Sequence, residues 1–300
     1  MNCTEEFIAK MKQKDIVINF VQAWRNDTLE ESYARLDKPT RLHAYSVSKS
    51  VTSIGVGLAV QEGLLRLDDP VLRFYPEYDP AELAPNLRRM TVRDLLMMGC
   101  GSKDKMFFWN DAQRLQCRDW QDYFLRNAFP YEPGTRFEYN NFNSYMCSCI
   151  VERAAGCTLK DYMTPRFFDK LGIGNPDWLT CPMGHSAGAN GLFLSIDEMS
   201  RTRAVPAAQT VAGTASSFWT PHICMRQKKT STRSMPPSTA TAISSGRTRT
   251  TNPTAQTVCM VSTSWWMPKS KAVVTVQALD SKKFFDDVWS ELVVPFLNKG

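Results

Sequence analysis

The sequence predicts an α+β protein, an antiparallel sheet flanked by helices and joined to a mostly helical lobe. Three observations lead there. β-branched apolar runs lie near both ends of the chain, at residues 16–23 (IVINFVQA) and 272–279 (AVVTVQAL). Segments of helical periodicity fill the interval between them. An amphipathic segment, 283–297, follows the later run directly, so the two chain ends are expected to close one sheet. The expected organisation is a single domain over residues 1–300, with sheet parts at about 1–40 and 272–300 and a helical lobe at about 65–195.

The elements follow in order. Residues 4–14 place Phe7, Ile8 and Met11 on one helical face. After the first strand, Asn26-Asp27 signals a turn into a second strand ending near Leu36. Residues 46–65 read as one long helix, broken before Pro70. Residues 91–98 form a short helix opened by Thr91, with Asp94 at the capping-box position. Further helices are expected at 118–127, 142–155, 159–171 (interrupted by Pro165) and from 195 to 201.

Composition narrows the class. With 43% hydrophobic and 11% aromatic residues, the 300-residue chain cannot be disordered throughout. No apolar run reaches the roughly 18–20 residues of a membrane helix. The opening MNCTEEFIAKMKQK has neither the basic head nor the apolar centre of a signal peptide. Nine cysteines without a C-x-x-C pair then read as reduced thiols, and a cytoplasmic location is expected.

The net charge of +6 is local. Residues 202–271 hold nine basic and no acidic residues, and the remainder, with 27 basic against 30 acidic, carries −3. The same stretch holds 14 Thr, 10 Ser and 6 Pro, and neither Leu nor Tyr. A disordered Ser/Thr/Pro linker fits that composition but leaves Trp219, Trp265 and Trp266 unexplained. A shifted reading frame accounts for both. Trp265-Trp266-Met267-Pro268 is encoded TGG TGG ATG CCN, and codons begun one nucleotide earlier give an aliphatic residue followed by Val-Asp-Ala. The same shift turns Val258 to Val261 into an aliphatic residue, Tyr or His, then Gly. Sequencing the gene is expected to reveal a compensating pair of indels near codons 202 and 271; an uninterrupted frame would refute this reading. Because the basic excess belongs to that stretch, no nucleic-acid partner is expected.

Three serine motifs compete for the chemistry. Ser46-Val47-Ser48-Lys49 is S-x-x-K at the head of a helix, where positions i and i+3 share a face. The positive helix end favours developing negative charge on Ser46, and a desolvated Lys49 can accept a proton. A lone S-x-x-K is more often a helix cap beside a solvated lysine. Ser102-Lys103-Asp104-Lys105 repeats the pattern in a polar loop. Gly184-His185-Ser186-Ala187-Gly188 fits the G-x-S-x-G nucleophile elbow, but no buried strand precedes it and no helix follows, so its glycines read as a turn. Tyr139-Asn140-Asn141 is the one Y-x-N in the chain and opens a helix after PGTRFE.

S-x-x-K on a long apolar helix, L-x-L-D-D-P-V at 65–71, T-V-R-D-L-L at 91–96 and P-G-T-R-F-E-Y-N-N at 133–141 occur in that order. In this the chain resembles the serine β-lactamase and penicillin-binding-protein superfamily, on its class C-like side, from about Ile16 to Arg201 and again from about Ala272. The resemblance implies a β-lactamase/transpeptidase-like fold and acyl transfer to water through an acyl-enzyme. It makes Ser46 the nucleophile and Lys49 its proton acceptor. Tyr139 becomes the proton relay, and Asn141 a hydrogen-bonding partner of Lys49 and substrate. No cofactor and no metal is implied, and the partner is a small acyl substrate rather than nucleic acid or membrane. The third family element, a Gly-containing triplet on a strand just before the last one, has no match as the chain stands. Lys229-Thr230-Ser231 lies too far upstream, and the strand itself is expected to be missing. A catalytically impaired relic or acyl-binding protein is the alternative reading.

Smaller features read blandly. His43 beside Tyr45 is expected to pack or cap. Phe107, Phe108 and Trp109 fit an acyl pocket or the core equally well. Cys147 and Cys149 share a helix without metal-ligand spacing.

Overall fold

The computed structural model describes residues 2–103, 116–202, 241–243, 262–267, 270–278 and 285–299. The described residues divide into two compact units, 2–47 with 193–202, 241–243, 262–267, 270–278 and 285–299, and 48–103 with 116–192.

The first unit is built on a five-stranded antiparallel sheet of order β2-β1-β7-β6-β5. Its strands are β1 (Ile18–Arg25), β2 (Thr28–Ala34), β5 (Thr241–Ile243), β6 (Ser262–Met267) and β7 (Ala272–Ala278). Asn26 and Asp27 both adopt positive φ, 46° and 61°, so a two-residue turn joins β1 to β2 with the twist a hairpin needs. A second, two-stranded sheet pairs β3 (Leu42–His43) with β4 (Phe193–Leu194).

The two faces of the large sheet differ in kind. Val21 and Ala23 of β1 and Val274 and Val276 of β7 pack against Phe7 and Met11 of α1 (Cys3–Gln13). The same cluster takes in Val288 of α9 (Phe285–Val288), Leu292 and Val293 of the π-helical turn Trp289–Val293, and Phe296 of α10 (Val294–Asn298). α1 begins at an Asn2 capping box with Glu5 and buries the three residues of its apolar face. The opposite face mixes buried Phe20 and Val273 with hydrogen-bonded polar side chains. Gln277 donates to the Leu194 carbonyl at 3.0 Å, Ser264 and Thr275 hydroxyls lie 3.2 Å apart, and Gln22 donates to Asp197 on α8 (Ile196–Arg201).

Arg41, just before β3, forks onto the Glu198 carboxylate, with Nη2 2.6 Å from Oε1 and Nε 2.9 Å from Oε2. Ser195, the α8 cap, donates its N–H to the same carboxylate at 2.9 Å. Burial pushes the Glu198 carboxyl up, but the Arg41 and Ser195 bonds outweigh it and hold the group below its usual range. A carboxylate lowered on folding stabilises the native state above its ordinary value of 4.5 and loses that contribution as pH falls through the lowered one. Glu198→Gln should therefore cost about 1.5–3 kcal/mol near neutral pH. Thermal melts should show a smaller acid-induced fall in Tm for the variant than for the wild type.

The second unit is mostly helical. α2 (Val47–Gln61), apart from its first residue, belongs to it, with α3 (Pro85–Arg89), α4 (Val92–Leu96), α5 (Trp120–Leu125), α6 (Asn141–Ala155) and α7 (Leu159–Met163). α2 ends before the expected Leu65. Gly63 takes φ +73°, the Leu64 N–H reaches back to the Ala59 carbonyl and the Gly63 N–H to Val60, a Schellman stop. Thr91 and Asp94 form the expected capping box of α4. α6 is buried on every side from Asn141 to Glu152 and is the central helix of this unit. The interruption at Pro165 takes the form of a π-helical turn, Thr164–Phe168, followed by the 3₁₀ turn Asp169–Leu171.

One expectation is overturned. A strand is present just before the last one, since β6 pairs with β7 from Ser262↔Gln277 to Met267↔Ala272. Its pleat turns Ser262 and Ser264 inward, where small hydroxyls are buried against β7. Most of 202–271, including Trp219, Lys229-Thr230-Ser231 and residues 258–261, lies outside the described residues, as do Phe107, Phe108 and Trp109.

Candidate active site

In the second unit, three of the four singled-out residues come together. Lys49 lies in the first turn of α2 and donates through Nζ to the Asn141 Oδ1 at 2.8 Å and to the Ala189 carbonyl at 2.8 Å. Its ammonium nitrogen stands 5.0 Å from the centroid of the Tyr139 ring, within cation–π range. Thr52, one turn further along α2, donates to the Gly188 carbonyl at 2.7 Å, and the Leu192 N–H donates to Ser48 at 3.3 Å. α2 is thus tied along one face to the segment 188–192.

Asn140 fixes the Tyr139–Asn141 corner. Its Oδ1 accepts from the Asn143 N–H at 3.0 Å, making it the N-cap of α6. Its Nδ2 reaches Ser102 Oγ and the Glu138 carbonyl, both at 3.3 Å. The arm that delivers Tyr139 is laced to residues 98–101 by Tyr131 N–H to Gly101 O, Gly134 N–H to Gly99 O and Glu138 N–H to Met98 O. Gly101 holds φ +82°, and a Cβ there would lie 2.1 Å from the Tyr131 carbonyl oxygen. Gly101→Ala should therefore destabilise the protein by about 3 kcal/mol or more and displace Tyr139. A denaturant melt with an unchanged midpoint would refute that assignment.

Ser46 immediately precedes α2 and is half-buried. Tyr45 before it holds φ +46°, a left-handed conformation costly for a bulky residue. The Tyr45 N–H donates to His43 Nδ1 at 3.1 Å, and the two rings meet edge-on at 4.1 Å. His43 is accordingly a packing and capping residue, as expected. Its carbonyl accepts the Ser262 hydroxyl of β6 at 3.2 Å, which ties β6 to the strand leading to Ser46.

The competing serines are structural. Ser102 is buried, with its oxygen near the Asn140 amide and the Cys100 sulfur. Ser186 sits in an isolated bridge to Thr180, its carbonyl bound by Ser148 at 3.0 Å, in a turn rather than an elbow. Sequence reasoning missed Ala189, whose contribution is a backbone carbonyl. It also missed a cavity of about 80 Å³ beside Asn141, lined by Trp120, Tyr145, Leu179 and Ala187 among others. The aromatic wall is Trp120 edge-on to Tyr145 at 5.3 Å. The seven cysteines among the described residues are all free. No helix among the described residues is long and apolar enough to cross a membrane.

An antiparallel sheet covered by terminal helices, a helical unit and a lysine from the S-x-x-K helix bonded to the asparagine of Y-x-N define the β-lactamase/transpeptidase-like class of fold. Comparison with known proteins agrees. The chain belongs to the β-lactamase family, whose model matches residues 22–252. Members of that family are serine hydrolases. Penicillin-binding protein 4* of Bacillus subtilis (strain 168) is 26% identical over 134 residues, 43% of this chain but only 28% of that protein's length. A class C beta-lactamase solved in complex with cefoxitin superposes with a TM-score of 0.70 at 12% identity, covering 99% of this chain and 97% of its own. A putative 6-aminohexanoate-dimer hydrolase from Bacillus anthracis gives 0.67 at 14% identity over 97% and 80%. D-alanine carboxypeptidase AmpC from Burkholderia cenocepacia gives 0.68 at 13% over 98% and 97%. At these identities the likeness to the structures is one of fold.

Proposed function

We propose that the protein is a serine hydrolase that cleaves a small ester, amide or β-lactam-like substrate through an acyl-enzyme on Ser46. The observation that carries this reading is the Lys49 amine, bonded to Asn141 and Ala189 beside the Tyr139 ring. Ser46 Oγ attacks the acyl carbon and its proton passes to Lys49 Nζ. The oxyanion is received by the Ser46 N–H at the positive end of α2. β6, tied through Ser262 to the strand that leads to Ser46, carries the second donor. Tyr139 protonates the leaving group and then draws a proton from the water that releases the acyl group, while Lys49 Nζ returns its proton to Ser46 Oγ. Asn141 holds Lys49 and the substrate amide or ester oxygen.

The names of the neighbouring structures (a β-lactamase, a carboxypeptidase, an amide-dimer hydrolase) share acyl transfer and nothing narrower, which supports that reaction class without choosing a substrate. The small, aromatic-walled cavity beside Asn141 favours a short apolar acyl group. p-Nitrophenyl acetate and butyrate test the proposal. Turnover, with a trapped acyl or fluorophosphonate adduct located on the Ser46 peptide by mass spectrometry, is the expected result. An adduct without turnover identifies the acyl-binding alternative. Neither adduct nor turnover refutes both.

A further inference from the structure

A second cluster of reactive side chains lies away from Lys49 in the same unit. Cys149 and Glu152 are three residues apart on α6 and share a face. The turn at 181–185, closed by the Cys181 N–H to the His185 carbonyl at 2.8 Å, carries His185 to the same place. A cysteine sulfur, a carboxylate oxygen and an imidazole nitrogen there all lie within 4.8 Å of one another. We infer that Cys149, Glu152 and His185 form a binding site for a thiophilic divalent cation of the zinc type.

The geometry is near what such an ion requires. Ligands about 2.0–2.1 Å from a tetrahedral zinc stand roughly 3.3 Å apart, and a sulfur at about 2.3 Å stands roughly 3.6 Å from a nitrogen. His185 Nδ1 is 2.7 Å from Glu152 Oε2, so an imidazole shift of under about 1 Å lets the ion replace that hydrogen bond. The other Glu152 oxygen is fixed by the N–H groups of Leu159 and Ser186, each at 2.9 Å, which hold the carboxylate as a ligand must be held. Cys149 is fully buried and Glu152 nearly so, whereas the His185 side chain is 32% exposed and gives the entry side. A water completes the set. The ion displaces the Cys149 thiol proton to solvent. The imidazole proton facing Glu152 moves to Nε2 by tautomer exchange.

The consequence reaches Lys49. α6 begins at Asn141, and the chain beyond His185 runs to Ala189, the two oxygens that hold the amine. A cation bridging α6 to His185 fastens both supports. The site itself does not depend on the hydrolase reading.

Titration of the full chain with Co²⁺, in a non-chelating reductant, tests it. One equivalent should produce a thiolate-to-cobalt charge-transfer band that Zn²⁺ abolishes. Cys149→Ala should lack the band. His185→Gln, at a half-exposed position that leaves the far-UV circular dichroism unchanged, should bind at least about 10-fold more weakly. Absence of the band at one equivalent, its survival in Cys149→Ala, or wild-type affinity in His185→Gln would each overturn the assignment. Should Cys149→Ala fail to fold, His185→Gln decides alone.

Discussion

Ser46→Ala should lower kcat for p-nitrophenyl butyrate by about 10⁴–10⁶, leaving KM nearly unchanged. The bond that Oγ makes to the acyl carbon exists only beyond the Michaelis complex, so its loss falls on the chemical step. Ser46 immediately precedes α2, and a serine there can also serve as a cap worth about 0.5–2 kcal/mol. Ser46→Gly separates the two roles, because glycine at a cap costs only a few tenths of a kcal/mol. Both variants should be equally inactive, while Ser46→Gly melts within about 2 °C of the wild type. Turnover that persists in either variant means the ester is cleaved elsewhere.

Lys49→Ala should reduce kcat by about 10²–10⁴, the range a positioned proton acceptor supplies. It also removes a donor from Asn141 Oδ1 and from the Ala189 carbonyl, at a cost of about 1–3 kcal/mol in stability. Lys49→Arg tells the base from the brace. A guanidinium can donate to both oxygens but does not give up its proton, so stability should recover in part and activity should not. If Lys49→Arg restores kcat to within about tenfold of the wild type, Lys49 acts by charge or packing rather than by accepting a proton.

The side chains of the candidate site are readable from the sequence because their spacing is local: Ser46 and Lys49 are one helical turn apart, and Tyr139 and Asn141 flank a helix cap. Ala189 is not, because it contributes a carbonyl that any residue possesses. Its trace is the G-x-S-x-G string, whose glycines mark the turn that presents that carbonyl to Lys49. β6 was missed for a different reason. Read by composition, its Ser and Thr residues suggest a linker. Read by alternation, Ser262 and Ser264 are the small residues that fit a closely packed inner face. The Cys149 cluster was invisible because its donors are set by tertiary contact between α6 and a turn 33 residues on from Glu152, not by a short spacing.

Val21 of β1 pairs across to Val276 of β7, so the central hydrogen-bond ladder joins segments 255 residues apart. A ribosome working at about 5–20 residues per second needs roughly 13–50 s to make the intervening chain. Throughout that interval the inner edge of β1 offers unpaired amides and a strip of Val and Phe side chains to whatever strand comes near. Completion of the sheet is therefore a late, long-range event in biogenesis. Expression at lower temperature or with a holdase chaperone should raise the soluble yield more than any change at the active centre.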